Sequence, residues 1–473
     1  VGFFPPSGGT VIEAALSKKK ILSLGFAVAL ALVAYFVKIP GLSEAGQVTL
    51  AIFAIATVLW VSEAVPLYVT ALIIVVLEAT WLVGQIAPSG EIITDYKQFL
   101  HPFFSSIIAL FLGGFAIARA IHKYHLDERI AKAILDRVGT NPRYVLLGMM
   151  VTTAVFSMWM SNTATSALMI TVALPVLRKI ESDDPFRKAL MLGIPFAANI
   201  GGMGTPIGTP PNAIAIGQLN AAGANIGFGE WMSFAVPIMV LSLILCWILL
   251  LAFFKPKTKR FKLEFDVKGK ISPKGRFILL MLALAIVGWL TTKIHGVPSA
   301  IIALIPATIF FATGTLKKDD FNSLGWNILF IMGGGLSLGV AMKVSGLNTF
   351  LISQINLEGL PFILTLAIFG LGAALMTTFI SNTATANLLV PIVIGFVALG
   401  QEMSSYVAPI AVMVALSSSA SMVLPVSTPP NAIAYGSGEL KVKDMARSGL
   451  VVTISIILIT LAFSFLIRLV LAA

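Results

Sequence analysis

Serine, asparagine and threonine recur in one order at two distant places in this chain, Ser161-Asn162-Thr163-Ala164-Thr165 and Ser381-Asn382-Thr383-Ala384-Thr385, 220 residues apart. A second shared phrase follows each copy after a nearly equal gap: Thr209-Pro210-Pro211-Asn212 and Thr428-Pro429-Pro430-Asn431. Hydroxyls and amides offer uncharged donors and oxygen acceptors, and a helix restarting after such a break aims free N–H groups and a positive dipole end inward. That combination favours an anion, and a donor set present twice suits a ligand with two anionic ends better than a monoanion. No Lys or Arg interrupts the four motifs. Burying a dianion against neutral donors alone is costly, so co-bound cations are physically attractive. Ser and Asn oxygens with freed backbone carbonyls are good ligands for a hard cation, which fits sodium.

The elements that must position these residues are membrane helices. The 473 residues are 58% hydrophobic and 11% charged, with mean hydropathy +0.96, which argues against a soluble globular domain. Apolar runs of roughly 20 residues, the length of a spanning helix, recur from Ile21 almost to the end. The runs read as Ile21 to Val37, Val48 to Val61, Val65 to Val83 and Phe103 to Ile121, then a charged interfacial helix from His122 to Val138. Tyr144 to Leu177 makes two arms around the first Ser-Asn-Thr, Ala189 to Leu219 is broken by glycines and the Pro pair, and Trp231 to Phe254 closes the half. The second half repeats the order with Phe277 to Thr291, Val297 to Thr313, Trp326 to Ala341, Pro361 to Ala398, Tyr406 to Gly436 and Val451 to Leu471. No cleavage site follows the first run, which therefore reads as a retained helix.

Charge orients the chain. The net charge of +11 resides mostly in short connections, the pattern of topogenic charge rather than of a nucleic-acid surface. With each Ser-Asn-Thr segment treated as a hairpin returning to its own side, 27 of 32 Lys/Arg fall on the cytoplasmic side. The expected fold is thus an all-α polytopic membrane protein of eleven transmembrane helices, arranged 1+5+5 as inverted repeats with two re-entrant hairpins and two broken helices. Residues 1–47 form the N-terminal segment and first span, 48–254 the first repeat, 255–276 a basic cytoplasmic linker and 277–473 the second repeat. The N-terminus is expected in the cytoplasm and the C-terminus outside it, in the plasma (inner) membrane. Inversion brings both Ser-Asn-Thr tips and both breaks to one cavity near the midplane.

The paired motifs, with Gly-Gly-Met-Gly-Thr-Pro-Ile-Gly at 201–208, resemble the divalent-anion/sodium symporter family, the INDY-type di- and tricarboxylate transporters, over the whole chain. The resemblance implies a homodimer of eleven-helix protomers, each with a scaffold and a mobile transport part working by an elevator movement. Family substrates are succinate, malate, fumarate, 2-oxoglutarate, citrate and, in some branches, sulfate. Carried over residue by residue, Ser161, Asn162, Thr163, Ser381, Asn382 and Thr383 would bind substrate, helped by Thr209, Pro210, Thr428 and Pro429. A first sodium site would use Ser157, Ser161, Asn162 and a carbonyl near Gly201; a second would use Thr377, Asn382 and a carbonyl near Ser427. The stretch Asn199 to Gly202 corresponds to Ser418 to Ser421, so the two cation sites need not be equivalent.

The function expected is sodium-coupled dicarboxylate symport, with sodium-independent exchange, sulfate or citrate transport, and an anion channel as alternatives. Phosphate-loop, zinc-protease and nucleophile-elbow motifs are absent from the sequence, which argues against an enzyme. Cys246 is the single cysteine, so disulfide and cysteine-cluster readings fail. Gly113-Gly114 and Gly333 to Gly335 read as close helix packing, His122 and His125 as a solvated face, and Glu63 and Glu78 as acids without a motif counterpart in the other half.

Overall fold

Backbone polar groups in lipid must be satisfied within their own segment, and the apolar runs accordingly close their hydrogen bonds as helices. The computed structural model describes residues 18–260, 270–354, 360–396 and 401–472; part of the basic linker and the end of the second hairpin arm lie outside these residues. Within them the chain is all-helical apart from one isolated bridge between Ile86 and Ile92. Seven of the described helices are long and apolar enough to cross a membrane.

The order begins with α1 (Lys18–Phe36), α2 (Glu44–Ser62) and α3 (Leu67–Leu77), the last running into a π-helical turn at Glu78–Leu82. Next come α4 (Ser106–Lys123), α5 (Leu126–Leu135), the arms α6 (Pro142–Ser157) and α7 (Asn162–Leu177), and the broken pair α8 (Phe186–Gly202) and α9 (Pro210–Ala221). The half ends with α10 (Phe228–Phe253). The second half supplies α11 (Pro273–Leu290), α12 (Ser299–Ala312), α13 (Trp326–Val344) and α14 (Leu347–Ser353). The arms α15 (Phe362–Phe379) and α16 (Asn382–Ile394) follow, then the broken pair α17 (Gln401–Ser419) and α18 (Pro429–Gly436), α19 (Val442–Ala462) and α20 (Ser464–Ala472).

Several boundaries differ from expectation, α11 starting at Pro273 rather than Phe277 among them, and two show the local reason most clearly. The second span starts at Glu44, because the Ser43 hydroxyl accepts from Gly46 N–H at 2.9 Å and caps the helix there. The last span starts at Val442 and ends at Ala462. Asp444 accepts the Lys441 N–H at 3.1 Å, which lets the helix begin in polar sequence, and α20 is a separate segment beyond Phe463.

Packing exchanges equivalent helices between the halves. α3 lies along α13, and α12 along α4. Glycine permits both approaches: a Cβ on Gly113 would strike Ala303 of α12, and one on Gly334 would strike Ala71 of α3. Trp60 and Trp289 match as well, each donating its indole N–H to a carbonyl at or near the start of the next helix, Leu67 O at 3.2 Å and Ser299 O at 2.9 Å. Around this framework the hairpins, broken helices, α10 and α19 form an inner group. Its centre is the broken helices themselves, buried continuously from Ala189 to Thr209 and from Pro409 to Met422.

Candidate functional site

Each hairpin tip is made by a cap. Ser161 accepts from Ala164 N–H at 3.2 Å and Ser381 from Ala384 N–H at 3.1 Å, so these two hydroxyl oxygens start α7 and α16. The caps point Asn162 and Asn382, the first residues of those helices, back toward the preceding arms. There Ser157 Oγ lies 2.6 Å from Asn162 Oδ1 and 2.7 Å from the Ala198 carbonyl. The second half repeats the triangle: Thr377 Oγ1 lies 2.7 Å from Asn382 Oδ1 and 2.9 Å from the Ser418 carbonyl. A hydroxyl has one proton to give, and each of these faces two acceptors. Three hard oxygens therefore converge in each half, an arrangement that suits a sodium ion.

The carbonyls that meet these hydroxyls are those of Ala198 and Ser418. Gly201, expected to lie near such a carbonyl, packs its Cα on the Ala154 backbone. The Ser427 hydroxyl donates to the Thr378 carbonyl at 2.8 Å. Gly202 rather than Gly201 sits against Asn162, where a Cβ would lie 2.8 Å from Oδ1.

The breaks are braced by the asparagines of the Thr-Pro-Pro-Asn phrases. Asn212 Nδ2 donates toward the carbonyls of Gly202 at 3.0 Å and Thr205 at 2.8 Å, and Asn431 Nδ2 toward those of Ser421 at 3.1 Å and Leu424 at 3.0 Å. These bonds occupy carbonyls that the interrupted helices leave free. Thr209 and Thr428 are buried N-caps of α9 and α18; Thr428 accepts from Asn431 N–H at 3.3 Å, whereas the Thr209 side chain makes no cap bond. Pro210 and Pro429 occupy the first helical positions, where the missing N–H costs nothing.

The halves meet here. α7 packs on α18 and α16 on α9, so each hairpin lies against the other half's restarting helix. Asn199, which sequence reasoning left out of the site, links them: its amide lies 3.5 Å from Asn162 Nδ2, Ser421 O and Thr428 Oγ1. Its one signal in the sequence is that the matching position holds Ser418. Four further buried oxygens, Thr165 Oγ1, Thr385 Oγ1, Asn212 Oδ1 and Asn431 Oδ1, have no hydrogen-bond partner and fall into two repeat-related pairs.

The hairpins are not equally covered. On α7, Thr163, Ala164, Ala167 and Thr171 are exposed, a small and polar face suited to water rather than to lipid. On α16 the matching Ala384, Asn387 and Pro391 are buried against α13 and α9. The first tip reaches the framework through Trp159, whose ring stacks with Phe228 and Trp289 at centroid distances of 6.0 and 5.9 Å. A cavity of about 960 Å³ lies apart from the triangles, between the starts of α4, α10 and α12, with His101, Gln218 and Phe228 on its walls.

Other candidates fall outside the site. Glu78 is buried in the framework, where the Ser337 hydroxyl faces it, and Glu63 is an exposed left-handed corner at φ 49°. His122 pairs with Asp127 at 2.8 Å and His125 with Glu128 at 3.1 Å. Among the described residues no cluster of His, Cys, Asp and Glu could hold a metal.

Comparison with known proteins agrees with this architecture. Residues 18–472 match the family described as "Sodium:sulfate symporter transmembrane region". An uncharacterized transporter of Haemophilus influenzae is 32% identical over 88% of this chain and 91% of its own length. The sodium-dependent dicarboxylate transporter SdcS of Staphylococcus saprophyticus is 32% identical, with coverages of 90% and 87%. A sodium-dependent high-affinity dicarboxylate transporter of Caenorhabditis elegans is 30% identical, with coverages of 86% and 81%. The crystal structure of the Alcanivorax borkumensis YdaH transporter shares the fold at TM-score 0.56 and 14% identity, covering 85% of this chain and 97% of that one.

Proposed function

We propose that this chain, which belongs to the divalent-anion/sodium symporter family, is a secondary transporter that carries a dicarboxylate together with sodium. The observation that carries the reading is the pair of oxygen triangles at Ser157 and Thr377. A cation in each would supply the positive charge that Asn162, Thr163, Asn382, Thr383 and the restarting helices at Thr209-Pro210 and Thr428-Pro429 lack. The dicarboxylate would lie between the tips, one carboxylate toward each, and its binding would depend on sodium because neutral donors alone cannot offset the cost of burying it. The names of the relatives support a dicarboxylate, and we infer a C4 acid such as succinate, malate or fumarate, or 2-oxoglutarate.

Eleven spans in a 1+5+5 inverted arrangement, with α6–α7 and α15–α16 as re-entrant hairpins, fit the exchange of equivalent helices between halves. Ion pairing supports the sidedness. Arg187–Glu439, Lys188–Asp444, Lys257–Asp183 and Lys123–Asp320 join stretches assigned to the cytoplasm, whereas Lys293–Glu230 joins two assigned to the other side. The unequal cover of the hairpins supports alternating access by an elevator movement of the inner group, with this conformation open toward the first, cytoplasmic hairpin. A homodimer would anchor the framework against that movement.

Uptake of labelled succinate into proteoliposomes tests the reading. We expect uptake driven by an inward sodium gradient, and counterflow when unlabelled succinate is added outside. Uptake indifferent to sodium but dependent on internal dicarboxylate would indicate exchange, and current that never saturates would indicate a channel.

A further inference from the structure

Beyond the four motifs, α13 carries two glycines that serve as seats for side-chain amides of the inner group. A Cβ on Gly335 would fall inside the Asn387 side chain of α16, and one on Gly339 inside the Gln218 side chain of α9. Asn387 Nδ2 donates to the Ile331 carbonyl at 3.2 Å and Gln218 Nε2 to the Gly335 carbonyl at 3.2 Å. Both side chains are buried, at 0% and 5% exposure, and both reach across the boundary between framework and inner group.

The other half has no equivalent. The crossings of Gly113 with Ala303 and of Gly334 with Ala71 align α4 with α13, placing Gly114 at the Gly335 position and Ala118 at that of Gly339. Gly114 faces the apolar side chain of Ile207. Asn387 corresponds to Ala167, which is exposed, and Gln218 to Ser437, whose hydroxyl is committed to Ala434 O of its own helix at 2.6 Å. The hairpin that is docked on the framework is thus also the one with an amide to dock.

We propose that Asn387 and Gln218 form a one-sided polar latch that holds the inner group in the conformation with the second hairpin covered, and that the opposite conformation lacks any such bond. The proposal rests on the alternating-access reading above. Side-chain hydrogen bonds between membrane helices contribute modestly, so each amide shifts the balance about threefold and both together about eightfold.

A thiol introduced by Ala384→Cys, in a Cys246→Ala background, tests this. Ala384 is buried at 0%, while its counterpart Ala164 is exposed, so the thiol reports the opposite conformation. In proteoliposomes its modification by a membrane-impermeant maleimide should run about threefold faster with Asn387→Ala or Gln218→Met and about eightfold faster with both, while Ser437→Ala leaves it unchanged. Gln218→Met keeps the volume of the side chain and carries the test alone if Asn387→Ala does not fold. Modification that proceeds during succinate turnover at one rate in all these backgrounds overturns the latch and leaves the carrier reading standing. A thiol that stays unmodified in every background, turnover included, overturns the movement itself and the latch with it.

Discussion

One proton between two acceptors defines the chemistry at Ser157 and Thr377, and substitutions there should separate binding from folding. Ser157→Ala and Thr377→Ala each remove one of three converging oxygens and leave the backbone untouched. We predict that each raises the sodium concentration for half-maximal uptake about tenfold, the effect of losing one buried polar partner, and that Thr377→Ser restores it. Asn162→Ala and Asn382→Ala should abolish uptake with unchanged elution on size exclusion; normal uptake in both would remove these residues from the site. At this scale the sequence was half legible. Side chains announced themselves by repetition, but the Ala198 and Ser418 carbonyls carry no letter of their own. Each lies 41 residues from the hydroxyl it meets, and only the helix register brings them together.

Where elements meet outside the apolar layer, charges do the joining. Arg187, at the start of α8, donates to both Glu439 oxygens at 2.9 and 2.5 Å and to the carbonyls of Leu177 and Ile180, tying the end of the first hairpin to the loop after α18. Arg187→Ala leaves Glu439 and two carbonyls without their partner and should cost roughly 2 kcal/mol, seen as a lower melting temperature in detergent. Lys257→Ala, whose partner Asp183 is largely exposed, should melt like the parent chain. Asp320 makes a similar tie between α4 and the segment before α13. Burial pushes its carboxyl up, but Lys123, the Lys317 N–H and Arg119 outweigh that and hold it below the ordinary 3.8. A lowered value in the folded state means that the tie contributes at neutral pH and is lost as pH falls through that value. Asp320→Asn should therefore melt earlier than the parent chain at pH 7, and the difference should begin to shrink only below about pH 3.8 and vanish once the pH has fallen through the lowered folded value. The pairings of Arg187 with Glu439 and of Arg119 with Asp320 were invisible in sequence, because the partners lie 252 and 201 residues apart.

For the molecule as a whole, length and hydropathy made the helices legible, and the doubled motifs made a duplicated unit with converging tips expected, whereas the packing of α3 on α13 and of α12 on α4 had no signal in the sequence. The boundaries at Glu44 and Val442 escaped because a cap outweighs hydropathy locally. Sidedness is a matter of odd and even: the eleven spans we propose would put the termini on opposite faces. Epitope tags at the two ends should accordingly be reached from opposite sides of the membrane, and tags reached from one side would refute the count. The pairing of Arg187 with Glu439 also carries a consequence for biogenesis. The acid lies 252 residues after the base, so at ordinary synthesis rates it is made roughly 10–50 s later. In the topology proposed above, Arg187 and Lys188 would spend that interval without their second-half acids, which is when their charge could orient the chain. Glu439 and Asp444 arrive later, so charges that would guide insertion end as ion pairs closing the finished protein.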